Sequence, residues 1–246
     1  MPQTKEGQKV PQVTFRTRTQ EGDWKNVSTD DLFKGRTVVV FSLPGAFTPT
    51  CSTTHLPRYN ELAPAFFASG VDSILCVSVN DAFVMNEWAD GQEAGNIVMV
   101  PDGNGEFSEG MGMLVDKADL GFGKRSWRYS MLVKDGVVQK MFVEPNKPGD
   151  PFEVSDADTM LNYVNPKAKK PDQVAILTRE GCSFCAKAKK LLKDLGYDYS
   201  EVSLPNTNRS RIVGAITGKG TVPQVFVNGK HIGGFEELQN WSRKAA

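Results

Sequence analysis

TVVVFSLPGAFTPTC, residues 37–51, decides the fold. Its first seven residues form an apolar, largely β-branched run with no polar alternation, the pattern of a strand buried on both faces. The next seven are a loop of small residues and prolines, and Cys51 stands where a helix opens. A buried strand that turns sharply into a helix is the start of an α/β layer. A cysteine just inside a helix N-terminus meets unpaired backbone N–H groups and the positive end of the helix dipole, and both favour thiolate over thiol.

The flanking chain extends this layer. QVTFRTR and DWKNV read as a ribbon joined at residues 21–23, and residues 28–31 look like a helix start. After Cys51, Pro57 and Pro64 interrupt a helical pattern, predicting a kinked or broken helix that ends near Gly70. SILCVSV at 73–79 is a second buried strand, Asp81 caps a helix, and residues 97–100 make a third strand. Residues 128–134 and 137–143 pair across Asp135 and Gly136, and a Ser-Asp cap opens an amphipathic helix over 155–164. Residues 165–173, NPKAKKPDQ, carry two prolines and no large apolar side chain, which reads as a linker. Beyond them the order is strand, helix, strand, helix, two strands, helix, the thioredoxin-like arrangement. The fold class is therefore α/β, with two thioredoxin-like domains whose mixed sheets are flanked by helices: 1–164, a linker at 165–172, and 173–246.

A 39% hydrophobic, 24% charged composition is that of an ordinary soluble globular protein. The first residues lack the apolar run of a signal peptide, and no stretch is long enough to span a bilayer, so the expected setting is cytoplasmic. Net charge is zero, but residues 1–168 hold 16 basic against 22 acidic side chains and residues 169–246 hold 13 against 7, giving −6 and +6. Neither balance suggests a nucleic-acid partner. Four cysteines are too few for a disulfide framework, and in a reducing compartment each must be judged by its surroundings.

For Cys51 the chemistry to test is attack on an O–O bond. That reaction needs a thiolate and fixed donors aimed at the departing oxygen. Thr48 can place a hydroxyl beside the sulfur, a distant arginine can supply charge, and Pro44 can wall off water. PGAFTPTCS resembles the active-site loop of peroxiredoxins, specifically the Prx5-type subgroup, over roughly residues 10–164. Pro44, Thr48 and Cys51 match its PxxxTxxC pattern, with further matches at THLP, SVNDAFV and WRYSMLV. The resemblance implies that Arg128 is the catalytic arginine and that Cys51 becomes a sulfenic acid needing a second thiol. The stretch where two-cysteine relatives carry a resolving cysteine, PGDPFEVSDADTM, has none. Cys76, inside an apolar strand, reads as packed and unreactive. His55 could pair with Cys51 as a metal ligand or base, but a packing role fits better.

Cys182 and Cys185, in GCSFC, are open between a redox pair and half a zinc site; no second pair is present, and a strand-to-helix setting favours redox, so no metal is expected. Cys182 would be the exposed nucleophile and Cys185 the sheltered partner. TREGCSFCAKAKKLL, TVPQVFVNGKHIGG and FEEL resemble glutaredoxins. That resemblance implies a cis Pro223, backbone pairing of Val222 with the glutathione cysteine, Arg179 on the glycine carboxylate, and Gly234, Phe235 and Glu236 holding the γ-glutamyl end.

Together the resemblances imply a glutathione-dependent peroxidase. It would reduce hydrogen peroxide and small alkyl hydroperoxides with no bound cofactor and glutathione as co-substrate, as a homo-oligomer, dimer or tetramer, without nucleic acid or membrane. The rival expectations are a peroxide sensor that deglutathionylates proteins in trans, and a non-enzymatic redox-switched binding protein.

Overall fold

The structure, a computed structural model, describes residues 4–19, 21–147 and 149–245; residues 1–3, 20, 148 and 246, which fall within the bounds expected for the two domains, lie outside it. The chain divides into two units, Met1–Lys170 and Pro171–Ala246.

In the first unit β1 (Thr14–Arg18) and β2 (Trp24–Ser28) form an antiparallel ribbon, and α1 (Thr29–Phe33) begins on a capping box between Ser28 and Asp31. β3 (Thr37–Leu43) then enters the sheet. A π-helical turn, Cys51–His55, runs directly into α2 (Leu56–Ala68). β4 (Ser73–Ser78), α3 (Ala82–Gly91), β5 (Ile97–Pro101), α4 (Glu106–Gly110), β6 (Leu114–Asp116) and β7 (Lys124–Ser126) follow. β8 (Tyr129–Lys134), β9 (Val137–Val143) and α5 (Ala157–Val164) close the unit. The sheet order is β5-β4-β3-β8-β9, with β3, β4 and β5 parallel and β8 antiparallel both to β3 and to its hairpin partner β9. At the hairpin turn both Asp135 (φ 46°) and Gly136 (φ 74°) are left-handed, as a tight two-residue turn requires.

β3 is apolar throughout because both its faces are covered. Val39, Phe41 and Leu43 pack towards α2, α3 and α5, while Val38 and Val40 pack towards Phe33, Phe107 and Tyr129. Each such side chain contributes about 1.5–3 kcal/mol when fully buried. Arg58 on α2 grips Asp158 on α5 through two hydrogen bonds, 2.7 and 3.0 Å, and holds that carboxyl down at about 2.

Three sequence expectations change. The helix after Cys51 is not broken: Pro57 has no N–H, its ring would crowd the carbonyl four residues back, and the chain relieves this by widening one turn, with Leu56 N–H reaching the Cys51 carbonyl. Pro64 also sits inside the helix, and the Asn60 carbonyl it leaves free accepts from Asn96 Nδ2 at 3.4 Å. Asp156 alone caps α5; Ser155 is bound elsewhere.

The second unit comprises β10 (Val174–Thr178), α6 (Ser183–Asp194), β11 (Ser200–Ser203), α7 (Arg209–Thr217), β12 (Gln224–Val227), β13 (Lys230–Gly233) and α8 (Phe235–Ala245). Its order, β11-β10-β12-β13, repeats the first unit's plan: the strand ahead of the cysteine lies parallel to the next strand and antiparallel to a hairpin strand. Both units are thioredoxin-like. Ile176, Leu192, Val225 and Leu238 form its separate core.

The sequence reading starts the linker at Asn165, but part of that stretch stays on the first unit. Asn165 Nδ2 donates to Ser69 Oγ, its side-chain oxygen accepts from Lys167 N–H, and Lys170 pairs with Asp158. No helix among the described residues is long and apolar enough to cross a membrane.

Candidate active site

β3 ends at Leu43, and the loop from Pro44 climbs over the carboxyl ends of the strands, where open α/β sheets present ligand sites. Phe47 takes a left-handed conformation (φ 64°) with its side chain outward, a strained backbone of the kind that collects at functional sites. Ala46 N–H is fixed by Asn80 Oδ1. The helical rod begins at Pro49, so Cys51 lies in its first turn, fully buried.

The sulfur of Cys51 accepts from Arg128 Nη2 at 3.5 Å. Arg128 precedes β8, so strand pairing of β8 with β3 brings together two residues 77 positions apart. Its guanidinium is 1% exposed, and burying that charge demands partners. Asp150 takes Nε at 3.2 Å and Nη2 at 2.5 Å, His55 Nδ1 takes Nη1 at 3.0 Å, and the Phe152 ring lies 5.4 Å from the guanidinium carbon. Burial opposes the arginine's charge, but the sulfur and Asp150 outweigh it, and the pKa rises. Of the five guanidinium N–H groups, one on Nη1 remains without a partner among the described residues.

Behind this pair stands a buried network. His55 Nε2 lies 3.2 Å from the Ser155 carbonyl, which also accepts from Tyr59 OH at 3.0 Å. Glu144, 2% exposed, accepts from the backbone N–H groups of Glu153, Val154 and Ser155 and from the Ser155 hydroxyl. Burial drives the pKa of His55 down to about 3, with the Arg128 charge pushing the same way. A neutral imidazole thus accepts from Arg128 and donates to Ser155. It hydrogen-bonds to the arginine beside Cys51, a role the sequence reading missed because only packing was assigned to it. Asp150 and Glu144 were missed too; nothing local in PGDPF or in the end of β9 signals a partner 22 residues away in the chain.

Thr48 donates its hydroxyl proton to the Gly45 carbonyl at 2.9 Å, closing the loop, and its oxygen keeps lone pairs that can accept. Pro44 is buried at the base of the loop. Burial pushes the Cys76 thiol well up, and Cys76 lies fully buried within β4.

In the second unit Cys182 caps α6 and is joined to Cys185 by a disulfide, with Cys185 buried and Cys182 half-buried. Cys182 Sγ lies 3.8 Å from the Val222 carbonyl, and the Val222–Pro223 peptide is cis. Arg179 Nη1 touches the Glu180 carbonyl, and Glu236 is exposed. At the start of α8, Gly234 N–H donates to Glu237 Oε2 at 2.9 Å, so an incoming carboxylate would meet a donor already engaged; Phe235 packs against Phe184. No group of three or more His, Cys, Asp or Glu side chains among the described residues is arranged to hold a metal ion.

Comparison with known proteins follows the same division. Residues 5–161 match the Redoxin family model and residues 174–232 the Glutaredoxin model. A hybrid peroxiredoxin of Haemophilus influenzae is 63% identical over 96% of this chain and 98% of its own length. A peroxiredoxin of Synechocystis is 55% identical over 64% of this chain and 89% of its own. Among solved structures, reduced Prx3 of Vibrio vulnificus in complex with hydrogen peroxide superposes with TM-score 0.61 at 45% identity, covering 65% of this chain and 98% of that one. A 1-Cys peroxiredoxin of Plasmodium falciparum superposes at 0.63 with 32% identity, over 67% of this chain and 100% of that one.

Proposed function

Because this chain belongs to the redoxin family, as a hybrid of a peroxiredoxin domain and a glutaredoxin domain, we propose that it is a thiol peroxidase driven by glutathione. The observation that carries the reading is Cys51 Sγ lying 3.5 Å from a buried, fixed Arg128. The guanidinium and the sulfur stabilise each other as an ion pair. The thiolate attacks the terminal oxygen of hydrogen peroxide or a small alkyl hydroperoxide, the O–O bond breaks, and the departing oxygen takes a proton to leave as water or alcohol. The remaining Nη1 N–H is a donor for that oxygen, and the Thr48 oxygen can accept a hydrogen bond from the hydroperoxide O–H until its proton passes to the departing oxygen. Cys51 is left as a sulfenic acid.

With Cys76 buried, the second thiol comes from solution. Glutathione condenses with the sulfenic acid, releasing water and forming a mixed disulfide. Cys182 thiolate takes the glutathionyl group and frees Cys51, and a second glutathione releases Cys182 as oxidised glutathione departs. The sum is one hydroperoxide and two glutathione to alcohol, water and oxidised glutathione. The Cys182–Cys185 disulfide is opened beforehand by two glutathione, so Cys185 guards rather than carries the transfer. Val222, Pro223, Arg179, Gly234, Phe235 and Glu236 line up the tripeptide beside Cys182. A cytoplasm holding millimolar glutathione is the setting this chemistry implies. Exposed Phe47 and Phe122 lie on loops tied together through Asn80 and Arg125, an apolar surface that supports a homo-oligomer.

Peroxide consumption coupled to oxidised glutathione tests the reading. Cys51→Ser should abolish turnover, and Cys182→Ser should cut turnover with glutathione while sparing a single turnover of peroxide by reduced enzyme. Full glutathione turnover in Cys182→Ser would overturn the relay. The formed Cys182–Cys185 disulfide favours one second reading, a dithiol that reduces other proteins' mixed disulfides; loss of that activity in Cys185→Ser would select it.

A further inference from the structure

Among the described residues that hydrogen-bond to Arg128, Asp150 is the one with its side chain open to solvent. Cys51 and His55 are fully buried and Arg128 is 1% exposed, while the Asp150 side chain is 40% exposed. Its carboxylate runs along the Nε–Nη2 edge of the guanidinium, and the same Nη2 donates to Cys51 Sγ. A two-point fork fixes direction as well as distance, which a single contact cannot do. His55 holds the opposite side through Nη1. The backbone that carries Asp150 is held by Glu144, which receives the N–H groups of Glu153, Val154 and Ser155. Fold and hydrogen bonding therefore deliver a negative charge to the mouth of a site whose one buried positive charge it neutralises.

We propose that Asp150 is the positioning and specificity-determining residue of the peroxidase site: it aims Arg128 at the reacting sulfur, and it excludes anionic peroxides in favour of neutral ones. Asp150 is the exposed charge in direct contact with the buried guanidinium, so a peroxide that reaches Arg128 from solvent comes within its field. A neutral hydroperoxide feels little of this charge. A hydroperoxide that carries a carboxylate is repelled at short range, where water screens poorly. Without Asp150 the guanidinium is paired with the Cys51 sulfur alone, and the repulsion of the same anion is gone. Aiming and screening are thus separable effects of one side chain.

The inference rests on Cys51 being the peroxide nucleophile, and the wild-type rates report on that separately. The experiment measures second-order rate constants of reduced enzyme with tert-butyl hydroperoxide and with a carboxylate-bearing alkyl hydroperoxide of similar size, at low and high salt. Wild type reacting with neither would overturn the peroxidase reading itself. In Asp150→Asn, which is isosteric and keeps one acceptor, the neutral peroxide should slow about tenfold because the donor is no longer held in line. The anionic-to-neutral rate ratio should rise several-fold, and the wild-type anionic rate, held down by repulsion, should rise with salt while that of the variant should not. A ratio unchanged from wild type, whether both rates hold or both drop, would overturn the proposal, since loosened structure alone cannot discriminate by charge. Asp150→Glu keeps the charge and shifts the fork by a methylene, so both rates should drop with the ratio preserved. A ratio raised in Asp150→Glu as far as in Asp150→Asn would equally overturn it.

Discussion

His55 shows how one side chain is kept in a state its intrinsic chemistry does not favour. Nδ1 must be bare to accept from Arg128, and Nε2 must carry hydrogen to meet Ser155. Protonation would set two donors against each other in a fully buried site. Burial, then the Arg128 charge, lowers the folded pKa from 6.5 to about 3, and the hydrogen bond to Ser155 offsets only part of this. The unfolded chain therefore binds a proton that the folded chain refuses. His55's contribution to stability is complete above pH 6.5 and is lost as pH falls towards 3, at about 1.4 kcal/mol per pH unit. Urea unfolding between pH 7 and pH 4.5 should show this slope in wild type and a shallower one in His55→Gln. Parallel slopes would mean the histidine titrates normally and does not hold the arginine as described.

At the scale of elements, the strap from Glu144 to Ser155 has a test of its own because its described residues, 144–147 and 149–155, lie outside the named strands and helices and yet carry Asp150 and Phe152 to the site. What shapes it is one carboxylate, 2% exposed, taking three backbone N–H groups and a hydroxyl at 2.8–2.9 Å. Glu144→Gln puts an amide N–H₂ among those donors, so even with the nitrogen in place of Oε2 the Glu153 N–H loses its acceptor and faces a donor instead. Leaving buried groups unmatched costs about 1–3 kcal/mol each. The expected result is about 2 kcal/mol lost in urea unfolding, faster amide exchange confined to residues 149–155, and slower peroxide reaction, with β3 and β4 protection unchanged. Uniform loss of protection would show the strap to be one cooperative unit with the sheet.

The strap also marks where sequence reading stopped. TVVVFSL was legible because a strand covered on both faces must be apolar at every position, and the hairpin because Asp135 and Gly136 accept left-handed backbone. Pro44, Thr48 and Cys51 could be named as candidates because the family pattern they match lies within eight consecutive residues. Asp150 could not be, since its partner Arg128 comes from just before β8, and Glu144 could not be, since the stretch between it and the N–H groups of residues 153–155 has no period to betray a fold. The π-helical turn was half legible: Pro57 announced a disruption, but only the surrounding packing decides whether a helix breaks or widens.

For the whole molecule, two hydrophobic cores with no residue in common argue for two units that fold on their own, joined at Lys170 and Pro171. The joint is shorter than its composition suggests. Asn165 is pinned to Ser69 on one side, and on the other Asn228 holds both Asp172 and the Gln173 N–H. Chain free of such anchors spans only a few residues, at about 3.5 Å each, fewer than the eight or nine that the composition suggests. Such a joint replaces diffusion with an effective concentration in the millimolar range, provided the geometry permits transfer. Expressing residues 1–170 and 171–246 as separate chains should give two folded proteins, each with a cooperative unfolding transition. Mixed at equal concentration, they should regain glutathione-dependent turnover only as both are concentrated, while the specific activity of the intact chain holds constant on dilution from micromolar to nanomolar. Equal activity of the mixture and the intact chain at nanomolar concentration would show that the joint contributes nothing to the transfer, and that Cys51 and Cys182 work as independent enzymes on one chain.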